Sequence, residues 1–152
     1  MTTMPISPAV EADEVLIEMA RPDDDEAAEA LWRGTAARPC AQGQPVVRLV
    51  ARDGKSGAFL GVADYFRTFP PEEALGGVAV VPTGRRRGVG VALLRELAGV
   101  AFRNGKRSLA GFMSEQDEAA WRLVCAAGVP VRMHQVEGGL YYELDLTPLM
   151  RR

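Results

Sequence analysis

Histidine and cysteine are scarce in this chain of 152 residues: His134 is the one histidine, and Cys40 and Cys125 are the two cysteines, with no C-x-x-C pair. A structural zinc held by His and Cys ligands is therefore excluded, and no resident metal is expected. A serine or cysteine hydrolase with a histidine base is excluded as well, unless His134 falls beside Cys40, Cys125 or a serine. Long apolar runs are also missing. The longest glycine-and-apolar stretch, residues 74–81, is far short of the roughly 18 residues that a membrane span needs. Residues 1–10 have neither a basic segment nor a long apolar one, which predicts no secretory signal, no membrane partner and a cytoplasmic location.

What is present is ordinary for a globular protein. Apolar residues make up 47% and charged residues 25% of the chain, and this length predicts one domain over 1–152, with 1–13 as a flexible tail lacking periodicity. The net charge of -2 conceals two opposed regions. Residues 11–29 carry nine acids against Arg21, a balance of -8, and residues 83–107 carry seven bases against Glu96, a balance of +6. The basic region suits a phosphorylated ligand and the acidic one an amine, although two solvated helix surfaces explain both. Nucleic acid is not expected as a partner, because the basic patch lacks interleaved aromatics apart from Phe102 and the chain's pI is about 5.5.

Periodicity and turn signals predict the order β-α-β-β-β-α-β-α-β-β. Strands are expected at 15–19, 46–52, 58–67, 74–81, 108–113, 131–136 and 140–146. Helices are expected from Pro22 toward Gly34, over 89–104 and over 117–127. Asp23, Asp24, Asp25 and Glu26 open the first helix, where carboxylates cap free N–H groups and favour the positive end of the dipole. Asp53-Gly54 predicts a tight turn with glycine at positive φ. Gly76-Gly77 within the fourth strand predicts a bulge or a close backbone approach.

The most informative segment runs from Val78 to Arg95. A strand ends at Pro82, a Gly/Arg loop follows, and the longest helix starts at Gly88-Val89-Gly90. N–H groups in a first helical turn lack intrahelical partners, glycines let an anion approach them, and Arg85, Arg86 and Arg87 add fork-shaped donors. The combination reads as a pyrophosphate cradle. A dinucleotide fingerprint fails, since its third glycine would fall at Leu93; a P-loop fails at Val89 and Gly90.

What remains is R-x-x-G-x-G from Arg85 to Gly90, preceded by V-x-P at Val80-Val81-Pro82. This resembles the pyrophosphate signature of the GNAT superfamily, the acetyl-CoA-dependent N-acetyltransferases, and the likeness extends over about residues 14–146. It implies an α/β fold with a splayed, mixed, mostly antiparallel sheet of about seven strands flanked by helices. It also implies that Arg85 to Val91, namely Arg85, Arg86, Arg87, Gly88, Val89, Gly90 and Val91, bind the pyrophosphate of coenzyme A. Val78, Ala79 and Val80 would offer strand edges to its pantetheine arm. Downstream, Asp117, Ala120, Leu123 and Gly128 fall on the family's Asn-x-x-Ala-x-x-Leu-Tyr and Gly-Phe pattern, which places Asp117 in the cofactor set.

The chemistry implied is direct attack by an amine of a small molecule or protein on the thioester of acetyl-CoA. Glu73, or less closely Glu72, stands near the family's carboxylate base. Val124 replaces the tyrosine that the family uses as general acid. Cys125 reads as a core residue, and Tyr65, Tyr141 and Tyr142 are the tyrosines on neighbouring strands. Loss of the tyrosine leaves open a degenerate domain that binds coenzyme A without catalysis. Dimers are frequent in the family, so a homodimer is a further candidate.

Overall fold

The computed structural model describes residues 14–35, 43–84, 88–113 and 118–151. Its seven strands are β1 (Val15–Met19), β2 (Val47–Asp53), β3 (Phe59–Arg67), β4 (Glu73–Val80), β5 (Ser108–Met113), β6 (Val131–Val136) and β7 (Gly139–Asp145). Three helices accompany them: α1 (Asp25–Arg33), α2 (Val89–Arg103) and α3 (Glu118–Cys125). All strands join one sheet in the order β1-β2-β3-β4-β5-β7-β6. Every neighbouring pair is antiparallel except β4 and β5, which run parallel. The expected tail at 1–13 lies outside the described residues.

Alternation along the strands divides the sheet into two faces. Ala63 and Tyr65 of β3 face α2, whose Leu93, Leu94, Leu97, Ala98 and Ala101 are buried at the three- and four-residue spacing read from the sequence. Each buried leucine contributes roughly 1.5–3 kcal/mol, so this helix carries the main core. Val62 of β3 points to the opposite face, where α1 sets Ala28 and Trp32 against it and against Ala79. Among the described residues α1 covers the β2–β4 side of this face.

One turn differs from expectation, and at Gly76-Gly77 the close backbone approach is found and not the bulge. In the Asp53–Gly57 turn the positive φ falls on Gly57, at 75°, and not on Gly54. The Asp53 carboxylate orders the turn by accepting from the N–H groups of Lys55 and Ser56, so Gly54 has no need of the left-handed region. Gly76-Gly77 forms no bulge against β3, because the register runs unbroken from Gly61 opposite Val80 to Arg67 opposite Ala74. Close packing is what Gly76 supplies: a Cβ there would stand 2.8 Å from the Asp64 carbonyl oxygen and 2.9 Å from Leu109 Cδ1.

Candidate functional site

β4 and β5 pair over only three rungs, Glu73 opposite Ser108, Ala74 opposite Leu109 and Leu75 opposite Ala110, and then part. From Gly76 onward, the β4 backbone groups that turn away from β3 have no strand partner among the described residues. Val78, Ala79 and Val80 lie on this separated stretch, and the cleft between the two strands opens toward their C-terminal ends. The splay follows from geometry: β3 holds β4 from Ala74 to Val80 and β7 holds β5 along its whole length, so the two halves of the sheet are free to diverge.

α2 begins at the mouth of that cleft. Gly88 is its N-cap in the left-handed region, φ 77°, which a Cβ would strain. Ala92 N–H donates to the Gly88 carbonyl at 3.0 Å, so the N–H groups of Val89, Gly90 and Val91 come before the first intrahelical donor. Val89 is buried, whereas Gly90 and Val91 are half-buried. A Cβ built on Gly90 would make only ordinary contact with the protein, 3.4 Å from Leu123 Cδ1 and 3.6 Å from Val80 Cγ2. Packing alone therefore does not demand glycine there. The separated strand edge, the left-handed glycine and the start of α2 together fit the amides and pyrophosphate of coenzyme A. Arg85, Arg86, Arg87 and Asp117 lie outside the described residues.

Glu73 sits at the paired end of the cleft, on the sheet face shared with α1. Tyr141 donates a hydrogen bond of 3.2 Å to Glu73 Oε1, and burial together with the nearby Glu73 charge pushes the Tyr141 hydroxyl up to about 12. His134 Nε2 and Glu143 Oε1, 2.8 Å apart, flank this pair. Glu72 is exposed and its carbonyl accepts from Arg107 N–H at 2.7 Å.

The other tyrosines are engaged elsewhere. Tyr65 is buried and its hydroxyl accepts from Asn104 Nδ2 at 2.5 Å; Tyr142 is buried under Gly111, and desolvation pushes it up to about 12. Val124, 2% exposed, packs into the core. Cys125 is exposed, contrary to its expected place in the core. The buried stripe of α3 passes through Ala120, Leu123 and Val124, and the next residue turns about 100° away from it.

A charge network that sequence reasoning missed lies under α1. Arg48 and Asp64, 8% and 1% exposed, form a two-pronged pair at 2.9 and 2.8 Å, and Trp32 Nε1 donates to Asp64 Oδ2 at 3.0 Å. Arg48 also reaches Asp25 at 3.2 Å and Glu29 at 2.7 Å, and the carboxylates around it raise its pKa further. Arg52 holds Glu18 and Asp24, each at 2.6 Å. Much of the acidic segment thus anchors α1 to β2. The signal was there to find: Arg48 and Asp64 are charges in the middle of apolar strand sequences, which require partners.

The basic segment is partly engaged too. Arg95 donates to the Ala126 carbonyl at the end of α3, Lys106 to the Pro71 carbonyl, and Arg103 pairs with Glu96. No helix among the described residues is long and apolar enough to cross a membrane.

The family model for the acetyltransferase (GNAT) family matches residues 11–126. No curated protein matches the chain. Among solved structures, yncA from Salmonella typhimurium with its cofactor acetyl-CoA superposes with a TM-score of 0.70 at 22% identity, over 88% of this chain and 94% of that one. An N-acetyltransferase from Staphylococcus aureus Mu50 gives 0.67 at 20% identity, over 88% and 99%. Diaminobutyrate acetyltransferase EctA from Paenibacillus lautus, in complex with L-2,4-diaminobutyric acid and coenzyme A, gives 0.67 at 20% identity, over 87% and 95%. At these identities the likeness is one of fold.

Proposed function

The chain belongs to the acetyltransferase (GNAT) family, and from that premise we propose that it transfers the acetyl group of acetyl-CoA to a primary amine, with Glu73 as the base. The observation that carries this reading is the cleft between β4 and β5, with the start of α2 at its mouth and Glu73 at its closed end.

Bound acetyl-CoA supplies an activated carbonyl and a thiolate leaving group whose reference pKa is about 8.5. The chain's part is to bind, orient and remove a proton. Gly88, Val89, Gly90 and Val91 present backbone N–H groups to the pyrophosphate, with Arg85, Arg86 and Arg87 supplying charge beside them and Asp117 completing the set. Val78, Ala79 and Val80 present the separated edge of β4 to the pantetheine arm. An amine with a reference pKa near 10.4 arrives as an ammonium ion, and Glu73 accepts its proton so that nitrogen can attack. Tyr141 keeps its own proton at neutral pH and orients the Glu73 carboxylate. Such a thiolate departs without a dedicated acid, which is consistent with valine at position 124.

Thiol release from acetyl-CoA over a panel of amines tests the reading. Turnover with at least one amine is expected. Coenzyme A binding without turnover on any amine would reduce the chain to a binding module, and absence of binding would overturn the site itself.

A further inference from the structure

A groove of about 320 Å³ lies where the start of β5 meets the start of β6 and the end of β7. Arg107, Ser108, Arg132, Glu143, Asp145 and Thr147 are among the residues that line it. Ser108 is the cross-strand partner of Glu73 on one side and of Asp145 on the other, and Arg132 is the partner of Glu143. Neighbours in register share a face, so Ser108, Asp145, Glu143 and Arg132 continue the floor on which Glu73 and Tyr141 stand. Adjacent strands are about 4.8 Å apart, which brings the groove within one strand spacing of Glu73.

The charges in this groove are unequally satisfied. Glu143 is held by His134 at 2.8 Å, and Asp145 Oδ1 accepts from Thr147 N–H at 3.0 Å and from its hydroxyl at 2.7 Å. Thr147 and, more weakly, the charge of Arg132 hold the Asp145 carboxyl below its usual range. Among the described residues neither the Arg107 nor the Arg132 guanidinium forms a salt bridge or a side-chain hydrogen bond. The groove therefore offers two fork-shaped cations and the Ser108 hydroxyl to a ligand, beside the carboxylates of Glu143 and Asp145, each hydrogen-bonded at one oxygen. Guanidinium groups match a carboxylate in shape and charge, and the volume suits a small molecule.

We propose that the groove binds the carboxylate of a small amino-acid acceptor through Arg107 and Arg132 and presents its amine to Glu73, an inference that rests on the acetyl-transfer reading above. The acceptor class is then an amino acid, and a simple amine lacks half of the recognition.

Thiol release is measured for each common L-amino acid and for the amine left when its α-carboxylate is replaced by hydrogen, with wild type and the Arg107→Gln/Arg132→Gln double variant. Both arginines are exposed, so the fold should survive. The expected result is a kcat/KM at least tenfold higher for the best amino acid than for its amine, falling to near parity in the double variant while the amine is used as before. Equal use of both in wild type, or an undiminished preference in the double variant, would overturn the proposal. Should no acceptor turn over although acetyl-CoA binds, the reaction reading fails, and thermal shifts then decide the groove. Stabilisation by amino acids, absent for their amines and lost in the double variant, retains it; no stabilisation in wild type overturns it.

Discussion

Tyr141 on β7 reaches over β5 to donate its hydrogen bond to Glu73 on β4. The two residues are 68 positions apart in the chain, and the sheet order alone brings them together. In the proposed reaction Tyr141 would act through Glu73, as a positioning residue. Tyr141→Phe is expected to lower kcat about tenfold, the loss of one hydrogen bond to a charged group of roughly 1.5 kcal/mol, with the dissociation constant of acetyl-CoA unchanged. A change in coenzyme affinity without a change in kcat would show that Tyr141 serves packing alone.

Gly90 separates folding from binding. Alanine in a helix is favoured over glycine by about 0.5–1 kcal/mol, and a Cβ at Gly90 meets nothing closer than 3.4 Å. Gly90→Ala is therefore expected to unfold at equal or higher urea concentration than wild type and to bind coenzyme A more weakly by calorimetry. Undiminished affinity would remove Gly90 from the cofactor site.

Asp64 joins α1 to the sheet through Trp32 and Arg48. Asp64→Ala leaves Arg48 buried with its main partner gone, which is expected to cost about 3–5 kcal/mol and lower Tm by roughly 10 °C or more. Calorimetric unfolding measures it. A drop of one or two degrees would mean that Asp25 and Glu29 satisfy Arg48 by themselves.

Elements were legible in the sequence where local chemistry defines them: the leucine spacing of α2 and the unbroken run of β5 set their positions directly. What failed was whatever depends on a distant partner. Acids between Glu18 and Glu29 suggested a solvated helix start or an amine site, and only the pairing of β2 with β1 and β3 turns Arg48 and Arg52 toward them. The splay of β4 from β5 is invisible to periodicity, because no hydrophobic pattern states which strands stop pairing; it entered through family resemblance. Cys125 was read as a core residue, but the buried stripe of α3 runs through Ala120, Leu123 and Val124 and leaves the next position exposed.

The Asp24 carboxyl supplies a pH signature. Burial pushes its pKa up, but hydrogen bonds from Arg52 and from the Arg21 N–H outweigh that and hold it below the usual carboxylate range. A carboxylate lowered on folding stabilises above its unfolded pKa, near 3.9, and that stability is lost as pH falls through the folded value. The gap in unfolding free energy between wild type and Arg52→Gln, about 1 kcal/mol, is thus expected to be full at pH 6 and to shrink below pH 4. A gap that stays constant across urea titrations from pH 6 to pH 3 would contradict this.

Glu73→Gln tests the central claim most directly, with acetyl-CoA affinity and thiol release measured on the same preparations of wild type and variant. The predicted result is unchanged affinity with kcat/KM for the amine reduced about 100-fold or more, the contribution expected of a general base. Equal turnover by the variant and wild type would contradict it, showing that the proton leaves the amine by a route in which Glu73 has no part.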